Sequence, residues 1–234
     1  MLTGEQFGRS HTNLTGMSRC YTRGVRVVLC VIALAACEKS ANRKLDLDTI
    51  VVTPDARLRT DTVGEGAFAR RATFVLVDAE NTSKDDAYVT LGGQLTNAGG
   101  AQVGELKPQS LWIPAGETRT YALVDRAQEP RADASAARVV VRSATIPEFK
   151  PAAHVDQIRE VADDGKLVVQ GVLHNDADRR GEIEVIATFH AADRTPMTRP
   201  FTLLHVPAHS DQPVQFVSPP GAAHGTIFVG DLSY

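Results

Sequence analysis

The chain has 234 residues, with 25 lysines and arginines against 28 aspartates and glutamates, for a formal net charge of −3. That balance, with no basic cluster in the body of the chain, excludes nucleic acid as the expected partner. Three cysteines are too few for a disulfide framework, so hydrophobic burial has to hold the fold, and 43% hydrophobic residues can supply it.

In chain order, Arg19, Arg23 and Arg26 precede the apolar run Val27 to Ala36. A spanning helix needs about 20 apolar residues, so this run is too short to cross a bilayer and has the layout of an export signal. It ends in Leu34-Ala35-Ala36-Cys37, which resembles the bacterial lipobox. The resemblance implies a diacylglycerol on the Cys37 thiol, cleavage before Cys37 and an N-acyl group on the new terminus. The competing reading is a plain N-terminal helix that contains a cysteine. Met17 stands just ahead of the unit, so either Met1 or Met17 begins the leader, and residues 1–36 are set apart as upstream extension and signal peptide.

Cys20 and Cys30 leave with that leader, and no disulfide remains to the mature chain. The leader also removes four arginines and one glutamate, so the remaining 198 residues carry 21 basic and 27 acidic side chains, a net charge of −6. Residues 37–45 read as a lipidated tether. Its second residue is Glu38, where an aspartate is the usual inner-membrane retention signal, so the expected address is the periplasmic side of the envelope, with the outer membrane favoured over the inner.

From about Ile50 onward apolar and polar residues alternate, which predicts strands. Phe74 to Val77 begin one strand, and Val89, Leu91, Gly93 and Leu95 share a face of the next. Asn97-Ala98-Gly99-Gly100 predicts a turn, since Asn and Gly tolerate positive φ. Leu111 and Ile113 lead to a second turn at Pro114-Ala115-Gly116-Glu117, then Thr120 to Val124, and Arg138 to Val141 close the sheet. Two prolines flank Glu148-Phe149-Lys150, where the alternation lapses, which places a boundary near Pro147 to Ala153.

The second half repeats the plan: Leu167 to Asn175, then Ile183, Val185, Ala187 and Phe189, then a turn at Asp193 to Pro196. At a constant offset of 94, Asn81 meets Asn175, Val89 meets Ile183 and Leu95 meets Phe189, and one deletion then aligns Ile113-Pro114 with Val206-Pro207. About seven short strands per unit, with turn signals every 8 to 12 residues or so, predict an all-β chain of two tandem immunoglobulin-like sandwiches, 46–148 and 153–234. So short a linker predicts a semi-rigid pair.

The strand ending in Asn81-Thr82-Ser83, the alternation from Val89 to Leu95 and the Pro114-Ala115-Gly116-Glu117 turn resemble the immunoglobulin-like modules of bacterial envelope proteins, such as the FxLYD type. The second unit is similar through Gly171 to Asn175, Phe189 and Val206-Pro207-Ala208, with His209 in place of the turn glycine. The Leu-Tyr-Asp element is absent from both. The resemblance implies an adhesive or scaffolding module without catalysis.

No nucleophile elbow, zinc-protease helix or phosphate-binding glycine loop occurs, so no enzyme is expected. His154, His174, His190, His205, His209 and His224 all fall in the second half. His205 and His209 could meet across a turn, but without cysteine or a paired carboxylate at matching spacing no metal or other cofactor is expected beyond the lipid on Cys37. A metal-binding or enzymatic role for these histidines is the alternative. Asp176-Ala177-Asp178-Arg179-Arg180-Gly181 starts like a calcium loop and fails at Arg180, so it reads as a charged inter-strand loop. Asn81-Thr82-Ser83 has the spacing of a glycosylation sequon, which in a bacterial lipoprotein reads as chance.

Trp112, the one tryptophan, lies between Leu111 and Ile113 and so faces away from them. It is the candidate partner contact, the competing position being a sheet edge or the seam between the two units. The expectation is therefore a non-catalytic lipoprotein held to membrane lipid through Cys37, which binds a protein partner or serves as an extrinsic subunit of a membrane complex.

Overall fold

The computed structural model describes residues 43–233 except 55, 65, 66 and 68. The lipobox, both candidate start sites and Cys37 lie outside the described residues. Those residues belong to one compact unit, 42–234, and no helix among them is long and apolar enough to cross a membrane.

The all-β expectation holds. The first sheet runs β1 (Arg43–Lys44), β8 (Ala136–Ile146), β5 (Ala87–Thr96), β6 (Gln102–Ile113), and every pairing is antiparallel. The second is centred on β4 (Arg70–Asn81), with β2 (Ile50–Val52) and β3 (Arg57–Val63) along one edge and β7 (Thr118–Val124) along the other. Val75, Val77 and Ala79 of β4 meet Val89, Leu91 and Leu95 of β5 in one hydrophobic cluster between these sheets. Tyr121 is fully buried there, and its hydroxyl crosses the core to donate to the Val89 carbonyl at 2.8 Å.

The second half has the same topology. β10 (Lys166–Asn175) lies between β9 (Ala153–Asp163) and β14 (Ser210–Val217). β11 (Gly181–His190) lies between β15 (His224–Ser233) and an edge made of β13 (Phe201–Val206) and β12 (Pro196–Thr198). Val89 pairs with Leu111 in the first half, and Ile183 pairs with Leu204 in the second, at the expected offset and after the expected deletion.

The correspondence reaches single hydrogen bonds. The Asn81 amide donates to the carbonyls of Asp85 (2.8 Å) and Ile113 (3.0 Å), while its oxygen accepts from the Ser83 N–H. Asn175 donates to Arg179 and Val206, both at 3.1 Å, and also to Pro207 at 2.8 Å, and accepts from the Ala177 N–H. In each half a buried asparagine ties the strand end to the turn across the sandwich, which satisfies carbonyls that no strand neighbour reaches. Asn81 is thus enclosed and hydrogen-bonded, which leaves its sequon no free amide in the folded chain.

The sequence reading did not single out β3 and β9. Both are charged edge strands, and β9 is exposed along most of its length. Charge on an edge discourages pairing with other chains, and it also hides the apolar alternation by which a strand is recognised. Asp163 to Lys166 form the β9–β10 reversal, with Asp164 at φ 44° and Gly165 at φ 73°.

Two strands break the alternation. Ala72 to Ala79 of β4 are buried apart from Phe74, and Val185 to Phe189 of β11 are buried without a gap. A strand covered on both faces reads as a continuous apolar run. Here the second cover is the other half of the chain: Ile186 and Phe228 belong to the first hydrophobic cluster, with Phe201 packed against it.

Candidate functional site

The junction of the halves contains buried polar groups as well as apolar ones. Asp78 accepts the Thr120 hydroxyl at 2.5 Å on one oxygen and faces His190 Nε2 at 2.9 Å on the other. The Arg199 Nε–H donates to the Thr120 carbonyl at 2.8 Å, while its Nη2 is enclosed without a hydrogen-bond partner. Burial pushes the Arg199 guanidinium down to about 10, against the pull of Glu184 and Tyr121, so it stays charged at neutral pH. Arg119 lies over the Phe228 ring, 4.9 Å from its centroid, and pairs with Glu117 at 2.6 Å.

Beside these contacts a groove of about 560 Å³ opens between the halves, lined among others by Tyr88, Trp112, Arg119, Ile158 and Phe228. Trp112 faces away from the core, as alternation requires, and it is half-buried rather than free. Its indole meets the Tyr88 ring edge to face at 5.2 Å, so the seam position weighed for it is where it lies. Lys150, from the segment joining β8 to β9, crosses the groove wall to Asp86 at 2.9 Å. The Lys150 ammonium, and then the Ala115 N–H, hold the Asp86 carboxyl below the usual carboxylate range.

His154 and Asp176 also line the groove, and they belong to a second constellation. On the outer face of the sheet β14-β10-β9, His174 pairs in register with His154 on one side and Asp211 on the other. Asp156 lies two residues beyond His154 on the same face. The two imidazoles stack, with centroids 4.9 Å apart. His154 Nδ1 is 3.1 Å from Asp176, and His174 Nδ1 is 2.7 Å from Asp211.

His174 Nε2 is enclosed and lies 2.9 Å from an Asp156 oxygen, but at an angle that makes no hydrogen bond. The carboxylates of Asp156, first, and of Asp211 hold the His174 imidazole above the usual histidine range, against the opposing effect of burial. One ligand atom each from His154, Asp156 and His174 lie within 4.8 Å of one another.

The sequence reading named both histidines but looked for convergence elsewhere. His205 and His209 do not share a carboxylate: His205 faces Glu182 at 3.5 Å, and His209 faces Asp178 at 2.9 Å. Asp176 and Asp178 of the loop that starts like a calcium site thus turn to different histidines. A local trace of the cluster is His154-x-Asp156, a spacing that puts two of its three side chains on one face of a strand.

No protein-family model matches the chain, and a search of curated proteins found no match.

Proposed function

We propose that this chain is a lipid-anchored, non-catalytic binding module of the bacterial envelope, held to membrane lipid by acylated Cys37 and presenting the groove around Trp112 to a protein partner. An extrinsic subunit of a membrane complex is the role that fits. The observation that carries the binding part is the position of the one tryptophan. In a chain with only 6% aromatic residues, Trp112, Tyr88 and Phe228 gather at one groove, and amphipathic rings of this kind dominate interface energetics. The packing behind the groove supports it too, since Asp78–His190 and the Ile186 and Phe228 contacts tie together the halves that form its walls, which lowers the ordering cost of binding. The anchor rests on Leu34-Ala35-Ala36-Cys37 and its arginine-flanked apolar run.

The test is crosslinking of the full chain in its native membrane, with and without Trp112→Ala, alongside labelling with radioactive palmitate. The expected result is palmitate on both proteins and a reproducible neighbour that Trp112→Ala loses. A neighbour set identical in the two proteins overturns the groove, and a Cys37→Ala chain that sorts unchanged overturns the anchor.

A further inference from the structure

We propose that the outer face of the sheet β14-β10-β9 carries a site for a divalent first-row transition ion of the zinc type, with His154 and His174 giving ring nitrogens and Asp156 a carboxylate oxygen. Three ligand atoms from these residues already lie within 4.8 Å of one another. A tetrahedral ion with bonds of about 2.1 Å needs its donors roughly 3.4 Å apart, so small ring and carboxylate rotations close the site. His154 and Asp156 are about half exposed and free to make them.

The surroundings fit a ligand set better than a chance cluster. A metal-bound imidazole usually donates its other N–H to a carboxylate, which fixes the tautomer and leaves the free nitrogen basic. His174 has that partner in Asp211, hydrogen-bonded to its Nδ1, and His154 Nδ1 lies 3.1 Å from an Asp176 oxygen. Nε2 is then the remaining nitrogen on each ring, and His174 Nε2 is enclosed, 2.9 Å from an Asp156 oxygen but without a hydrogen bond to satisfy it. Asp156, Asp176 and Asp211 bring three carboxylates around two imidazoles.

The donor types select the ion. Calcium and magnesium take oxygen ligands, whereas two imidazoles with one carboxylate suit zinc and its neighbours and leave at least one position open. The half-exposed His154 and Asp156 keep that position accessible to water or to a donor from a partner, and His154 also lines the Trp112 groove.

The experiment is a zinc titration of the full chain, extracted in detergent without a histidine tag and cleared of metal by a chelator. Calorimetry is expected to give one zinc per chain, and zinc is expected to raise the thermal midpoint by mass action. His154→Ala and Asp156→Asn, singly and together, remove the saturable phase. Asp176→Asn and Asp211→Asn weaken it roughly tenfold by loosening ring orientation. The pair His205→Ala and His209→Gly leaves it unchanged. Circular dichroism establishes that each variant is folded, and because His154 and Asp156 are half exposed, their loss does not open the core. Cobalt added to the unmutated chain gives visible ligand-field bands that His154→Ala abolishes. No saturable zinc in the unmutated chain overturns the site. So does binding that survives the His154→Ala, Asp156→Asn double variant, or that disappears with His205 and His209.

Discussion

After β6 the first half places Gly116 at φ 74°, and at the equivalent point after β13 the second half places His209 at φ 47°. The turn after β5 has Gly100 at φ 80°, and the turn after β11 has Arg194 at φ 66°. Both turns keep their hydrogen bonds: Asn97 N–H to Ala101 and Gly100 N–H to Asn97 in one half, Ala191 N–H to Thr195 and Arg194 N–H to Ala191 in the other. The second half therefore keeps the left-handed backbone after losing the residue that adopts it without a steric penalty. Topology in this chain is set by register and hydrogen bonding strongly enough to hold two side chains in a conformation they disfavour.

The core positions diverge as well. Tyr121, which bridges the sheets of the first half, corresponds to Val214 in the second. Asp125 is fully buried and holds Arg131 through two hydrogen bonds of 3.0 and 3.1 Å, while accepting the Ala127 and Glu129 N–H groups. Its counterpart is Ser218, which accepts only the Leu167 N–H at 3.0 Å on its side chain. Asp125 N–H and Ser218 N–H bond to Thr73 and Leu167, which are equivalent carbonyls.

The largest expected effect breaks this comparison where the halves differ most. Asp125→Ala removes two hydrogen bonds from the Arg131 guanidinium, which keeps Glu129 at 3.6 Å, and the acceptor of two backbone N–H groups; it should cost about 3 kcal/mol, at the low end for a buried pair because Arg131 reaches water. Ser218→Ala should cost about 1 kcal/mol. Chemical denaturation of the two variants measures the gap, and equal costs would refute the difference drawn between the positions.

Asn81→Ala and Asn175→Ala sharpen the comparison where the halves agree. Each removes the side-chain donor to one buried carbonyl, Ile113 or Val206, and the side-chain acceptor of one N–H, so each should cost about 2 kcal/mol, and the two costs should match. A cost confined to one of them means that the shared asparagine is decoration in the other half.

His190→Ala tests whether the halves behave as one body. It leaves the Asp78 carboxylate enclosed with Thr120 as its remaining side-chain partner, at a cost of about 2 kcal/mol. Because the lost contact joins β4 to β11, calorimetry should then show a van't Hoff enthalpy below the calorimetric one, the sign of halves unfolding separately. A transition that stays two-state places the coupling in the remaining contacts, Ile186, Phe201 and Phe228 together with Arg199–Thr120.

Arg194→Gly and His209→Gly restore the first half's turn chemistry in the second. Each should stabilise by about 1 kcal/mol, less the entropy that glycine adds to the unfolded chain. Thermal midpoints read the result, and a loss of stability would mean that the side chains at these positions contribute more than their backbone strain removes.

The sequence carried the alternation, the offset and the turns because these depend on residues near one another in the chain. It could not carry the His154–Asp156–His174 cluster, which depends on register. β9 pairs with β10 as Gln170 with Arg159 before an irregularity and as Val172 with Asp156 after it. The shift sits at Gln157, at φ 50°, opposite Gly171, where a Cβ would come within 2.8 Å of Val155. A one-residue slip exchanges the faces of a strand, so without this bulge His174 would face Val155 in place of His154. The junction was legible in part: Phe74 to Val77 and Val185 to Phe189 are apolar runs that no single-faced strand needs, but nothing local says that they cover each other. Trp112 was correctly turned from the core, and the choice between open surface and seam needed the other half in place.

The smallest expected effect concerns the segment that joins the halves. Lys150 reaches back to Asp86, and the second half has Arg180 at the position equivalent to Asp86, so only the first half can make this tie. The Asp86 carboxyl is held below its ordinary value, first by Lys150 and then by the Ala115 N–H. A carboxyl depressed in the folded state contributes stability above its unfolded value, near pH 4, and loses it as pH falls through the lower folded value. The Lys150 side chain is largely exposed, so water screens the pair and the contribution is small. Asp86 and Lys150 line the same groove as Trp112, whose fluorescence therefore reports the change without interference from a second indole. Lowering the pH below about 4 should shift the Trp112 emission before the fold is lost. Asp86→Asn, which keeps an oxygen for the Ala115 N–H, should abolish that early step. An early step that persists unchanged in Asp86→Asn would assign it to another carboxylate and remove the tie as the reason the linker lies against the first half.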